Sequence, residues 1–203
     1  MPRNLAAIAL ACALLTGCAS LRPDPAAEFD ALVADYEAFG LANDPIAAGR
    51  QGDLDAAARW PDESFAAVAA RNEANAGFLA RLEAIDAAVL DESQQVSHAV
   101  LDYLLRFAVT LAPFEPERLS FTNDSGFFSF PGSLALSTRP QSVAEAEAWI
   151  QRIETLPAYF EQNMAWLRRG METGVVQPQY IVPGVIAQIE TLAETPAAES
   201  LLL

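Results

Sequence analysis

A chain of 203 residues with 27 Asp and Glu against 12 basic residues carries a formal charge of −15. That balance excludes nucleic acid as a partner, because a phosphate backbone would meet repulsion and no basic cluster offers a local exception. It also argues against a broad electrostatic grip on anionic lipid.

In chain order, Arg3 and an almost unbroken apolar run from Leu5 to Leu15 form an export signal, too short to span a bilayer as a helix. Leu15-Thr16-Gly17-Cys18 then resembles the lipobox of bacterial lipoproteins. On that resemblance residues 1–17 are a signal peptide, Cys18 carries the acyl chains, and the membrane is reached through this lipid anchor. The alternative is a plain secretory signal cut near Ala19. Ala19 stands where an Asp often retains a lipoprotein at the inner membrane, so the expected location is the outer membrane, facing the periplasm. Removing residues 1–17 leaves 11 basic residues against 27 carboxylates, a formal charge of −16, and Cys18 as the last cysteine. No intramolecular disulfide can then form, and stability must come from packing.

Residues 18–25 read as a polar, proline-bearing tether. From 26 to 203 the apolar period is helical almost throughout, and the fold class is mostly α. Phe29, Leu32, Val33, Tyr36 and Phe39 mark a first helix ending near Gly40. Asn43-Asp44-Pro45 is expected to initiate a loop, kept non-helical by Gly49 and Gly52. Asp62 is the expected N-cap of a second helix bearing Phe65, Val68, Ala69, Asn72, Ala76, Leu79, Leu82 and Ile85. Asp91 with Gln94 fits a capping box. The helix after it carries Val96, Val100, Tyr103, Leu104, Phe107 and Leu111, and Pro113 stops it. The short connection around Leu90 makes these two helices an antiparallel hairpin.

Phe114 to Arg139 breaks the period and is expected as a long aromatic loop that could hold a small irregular hairpin around Asn123-Asp124-Ser125-Gly126. Its Phe121, Phe127, Phe128 and Phe130 either cover the hairpin or line a groove for apolar peptide side chains. Helix returns at Ser142, with Glu145 completing a capping box and Ala146, Trp149, Ile150 and Ile153 inward. Pro157 kinks or restarts it, and Phe160, Met164, Leu167 and Met171 continue the stripe. A last helix begins near Pro183, with Val185, Ile186, Ile189 and Leu192 inward. Leu201 to Leu203 close the sequence on three apolar residues, which reads as a truncated lobe with an exposed apolar patch by the last helix.

Catalytic chemistry is not legible. His98, the only histidine, shares a face with Asp102, a pairing that suits a general base but also an ordinary surface pair. A zinc site needs three or four ligands, and no second His or available thiol stands near. Ser125 lacks the elbow sequence of a hydrolase nucleophile. Glu145, Glu147, Glu154, Glu161 and Glu172 spread as a solvated face would. No catalytic and no metal residue is assigned.

Asp44-Pro45 with Gly49, then Trp60-Pro61-Asp62-x-Ser64 with Arg71 and Leu82-x-x-Ile85-Asp86, resemble the N-terminal region of the bacterial domain-of-unknown-function family 885. So do Trp149-Ile150-x-Arg152-Ile153-x-x-Leu156-Pro157, Gln162, Leu167-Arg168-x-Gly170, Gly174, Pro178 and Gln188. The resemblance implies a helical lipoprotein similar to zinc metallopeptidases, with a His-Glu-bearing zinc helix that no residue here matches. Zinc is accordingly expected in the full-length protein and no cofactor in this chain, with peptide as the substrate. The expected role is an N-terminal helical lobe shaping a peptide channel, inactive by itself. The alternative is a non-enzymatic helical envelope lipoprotein that binds a partner or an apolar ligand.

Overall fold

The computed structural model describes residues 24–202; the expected signal peptide and the lipid-attachment residue Cys18 lie outside them. Among the described residues the chain is helical, with no strand and one isolated bridge between Phe121 and Gly126. No helix among them is long and apolar enough to cross a membrane.

The first body is built from three long helices. Helix α1 (Pro25–Asn43) begins where Asp24 caps an amide and Pro25 needs none, and it runs on through Gly40. Asp44 does not open a loop. Its carboxylate caps the amides of Ile46 and Ala47 at 3.0 and 2.9 Å, starting α2 (Pro45–Arg50). Helix α3 (Leu54–Ala57) crosses α2 at Gly49, where a Cβ would stand 3.0 Å from the Cα of Ala57. Gly49 is thus a contact residue rather than a helix breaker. Helix α4 (Phe65–Glu83) is capped by Ser64, not Asp62, and a short turn leads to α5 (Glu92–Leu111). The Asp91/Gln94 capping box is present. Helices α4 and α5 pack as a hairpin, with α1 across both, around Phe29, Leu32, Leu82, Ile85, Leu90, Leu101 and Leu105.

The second body follows. Helix α6 (Phe130–Ser137) forms inside the expected loop, with Pro131 in its first turn where no amide is required. The residues before it make tight turns and the small Phe121–Gly126 hairpin. Gly126 closes that hairpin because a Cβ there would lie 2.6 Å from the Cβ of Phe121. Helix α7 (Val143–Glu154) is capped by the Ser142 hydroxyl on Glu145 N–H, while the Glu145 carboxylate accepts from Gln141 N–H rather than closing the box on Ser142. Pro157 restarts the chain as α8 (Leu156–Thr173), and α9 is Val182–Glu194. Ile46, Trp60, Leu134, Leu156 and Tyr159 form this body's core, with Phe127, Phe130, Trp149 and Phe160 packed against it.

Four helices bury a different or narrower stripe than the expected one. On α5 Leu101 and Leu105 are buried while Val96, Val100, Leu104, Phe107 and Tyr103 (68% exposed) face outward. The inward stripe starts with polar Gln94 and His98, which an apolar reading passes over. On α7 the buried residues are Ala148 and Arg152, and Ile150 is exposed. On α8 they are Leu156, Tyr159, Asn163, Trp166 and Gly170, and Met171 is exposed. On α9 only Val185 is buried, with Ile186, Ile189 and Leu192 exposed.

Candidate functional site

The irregular segment Trp60–Ser64 is sewn to α8 by polar side chains. Asp62 accepts from Ser64 N–H at 2.9 Å and from the Gln162 amide at 3.0 Å, and Gln162 in turn accepts from Glu63 N–H at 2.9 Å. The Trp166 indole donates to the Glu63 carbonyl at 2.7 Å, and Arg71 pairs with the Glu63 carboxylate at 2.8 Å. Trp60 stacks on Tyr159 with centroids 5.4 Å apart and meets Phe130 edge-on at 6.0 Å. These contacts leave a shallow depression of about 520 Å³, walled by Phe127 and Phe130 and lined by Glu63, Tyr159 and Asn163.

Its electrostatics follow from burial. Desolvation pushes the Glu63 carboxyl above its ordinary value of 4.5, against the opposing pull of Arg71. The Tyr159 phenol is pushed up to about 12, by desolvation first and the Glu63 charge second. Asp62, held by the Ser64 amide, lies below the ordinary carboxylate value. Ser120 Oγ, on the lining, is buried without a hydrogen-bond partner. The depression therefore offers hydroxyl groups and the Glu63 carboxyl between aromatic walls, a set suited to hydrogen-bonding an extended backbone.

The four loop phenylalanines do not act together. Phe127 packs on Phe160 with centroids 5.9 Å apart, Phe130 packs on Trp60, and both also wall the depression. Phe128 is 8% exposed and edge-on to Phe127. Phe121 is half-buried, and its carbonyl accepts from the Gln177 amide. His98 stacks on Phe29 at 5.8 Å, and Asp102 is taken by Arg106 rather than by the imidazole. Ser125 Oγ meets Thr122 Oγ1 at 2.9 Å in the hairpin turn.

Among the described residues no three His, Cys, Asp or Glu side chains come together as metal ligands. This donor set does not fit zinc, and no step through a metal follows from these residues.

Two buried polar groups escaped the sequence reading as site residues. Asn163 donates to Tyr159 O at 2.9 Å beneath the depression. Arg152 is 5% exposed, donates to the carbonyls of Ala56 at 3.0 Å and Pro45 at 3.4 Å, and lies over the Trp60 ring at 5.7 Å. Burial, and secondarily the charge of Arg50, lowers its guanidinium to about 10. The Trp60 indole donates to the Arg152 carbonyl at 2.6 Å, so one residue fixes the other on both sides. The available signal was positional. Arg152 and Gln162 belong to the second resemblance stretch and Trp60 and Asp62 to the first, and the fold brings the two stretches face to face.

The chain is a helical protein whose aromatic core carries buried polar groups beside two surface openings. It belongs to the family described as bacterial protein of unknown function (DUF885), whose model matches residues 45–202. The match leaves out α1 and spans the whole aromatic core. No curated protein and no solved structure matches the chain.

Proposed function

We propose that this chain is a helical lobe of a lipid-anchored, metallopeptidase-like envelope protein, and that the depression at Phe127, Phe130, Glu63 and Tyr159 is part of its peptide channel. The observation that carries this reading is the depression itself, with apolar walls and hydrogen-bonding groups between them. The zinc implied by the family resemblance would be held by side chains outside residues 24–202. Anchoring would be through Cys18, at the outer membrane facing the periplasm. The lobe itself would orient peptide and supply no nucleophile.

Ser133 on α6 lines the depression and is exposed, so Ser133→Tyr fills the opening without entering the core. In the natural protein, with a mixed-sequence fluorogenic peptide library as probe, KM should rise about tenfold, the cost of losing one good contact. Unchanged kcat/KM with the depression blocked would remove the channel.

A second reading has its own support. Val96, Val100, Tyr103 and Phe107 form one exposed apolar stripe on α5, a surface suited to a partner in a non-enzymatic envelope lipoprotein. Absence of peptide turnover by the natural protein, with capture of a helical partner abolished by Tyr103→Glu, would favour it.

A further inference from the structure

All 12 basic residues of this chain are arginine. Among the ten between residues 24 and 202, six hold a carboxylate: Arg71, Arg81, Arg106, Arg118, Arg168 and Arg169. The four without an ion pair among the described residues are Arg50, Arg59, Arg139 and Arg152. Three of those four line one cleft of about 460 Å³ between α2, α3, α6 and α7. In a chain with more than twice as many carboxylates as arginines, that convergence runs against the composition.

Arg152 sharpens the point, because its guanidinium is almost wholly buried with no counter-ion. Its Nε–H is enclosed and has no acceptor. A buried cation without a carboxylate is costly, and two backbone carbonyls offset only part of that cost. The one carboxylate on the cleft wall, Glu145, is occupied by Gln141 N–H at 2.7 Å and makes no ion pair with any of the three. Arg50 and Arg139 are exposed at the mouth, and the Arg50 charge repels Arg152 rather than relieving it. An anion held at the mouth by Arg50 and Arg139 would also offset the charge of Arg152 behind them.

We propose that this cleft is an oxyanion site that takes the carboxylate of a small organic acid. A carboxylate matches the planar donor fork of a guanidinium, which favours two parallel N–H···O bonds. Leu54, Leu134 and Trp149 in the cleft lining favour an apolar or aromatic body behind that carboxylate. A free amino-acid derivative and the C-terminus of a short peptide share this chemistry. The cleft would bind such a group whether or not the depression beside Glu63 and Tyr159 guides peptides.

The test is calorimetric titration of the full chain with N-acetylphenylalanine, its amide, and inorganic phosphate. N-acetylphenylalanine should bind saturably and its amide at least about tenfold more weakly, as loss of a charge-assisted hydrogen bond predicts. Because Arg152→Met could disturb the fold, the first variant is Arg50→Gln with Arg139→Gln. Both residues are exposed, so Tm should hold while affinity falls about tenfold. Arg152→Met, if its helical circular dichroism is retained, should abolish binding. Saturable phosphate binding without carboxylate binding would overturn the carboxylate assignment and make the cleft a phosphate site. Equal binding of acid and amide, undiminished binding by the double variant, or no saturable binding of either anion would overturn the proposal.

Discussion

The two halves of this molecule bury different chemistry. The α1/α4/α5 body closes on Phe29 and aliphatic side chains, and most of its arginines sit in exposed ion pairs. The α6/α7/α8 body closes on Trp60, Tyr159, Phe130 and Leu156, yet buries Arg152 and Asn163 among them. Aliphatic burial stabilises without specifying a ligand. Buried polar groups cost stability and are best explained by what they hold. Both surface openings lie against the second body's aromatic core, the arginine cleft with α2 and α3 as its other wall, and the α1/α4/α5 body contributes an exposed apolar stripe instead.

Leu105 is fully buried in the first body, so Leu105→Ala should destabilise the chain by about 2–5 kcal/mol in urea unfolding. A loss under about 1 kcal/mol would show that this body is loosely packed and break the contrast.

Arg152→Met replaces a buried cation by an apolar chain of similar length. It orphans two carbonyls but removes the desolvated charge, and these effects oppose each other. The net change in unfolding free energy should stay within about 1.5 kcal/mol. A loss as large as that of Leu105→Ala would make Arg152 a structural keystone rather than a ligand-holding group.

The smallest effect should be a pH-dependent one at Glu63. Its folded carboxyl titrates above the ordinary 4.5, so the folded state retains a proton that the unfolded state gives up. Stability is therefore lost as pH rises through 4.5 towards the raised folded value. Glu63→Gln cannot ionise, so its Tm relative to the parent should improve as pH rises above 4.5. A gap that moves the other way would mean that the Arg71 pair outweighs burial.

Some helix ends and the mostly α class were legible because their signals are local. The Asp91/Gln94 box, the Ser142 cap and the Pro157 restart each act within one turn. Helix faces were harder to read, and for a common reason. The inward stripes of α5, α7 and α8 contain His98, Arg152 and Asn163, so the richest apolar stripe is not the buried one. Asp44-Pro45 reads equally as a turn or as a cap with its first helical residue, and the packing of α2 on α3 decides between them. Phe130 to Ser137 is too short to show a period and is helical through its contacts with Trp60 and Leu156.

Amide hydrogen exchange of the full chain, with and without saturating N-acetylphenylalanine, addresses the division of labour most directly. Slowed exchange should fall on residues 45–57 and 134–152, which wall the arginine cleft, and leave 92–107 unchanged. Protection confined to 92–107, or spread evenly over both bodies, would contradict the assignment of ligand chemistry to the aromatic half.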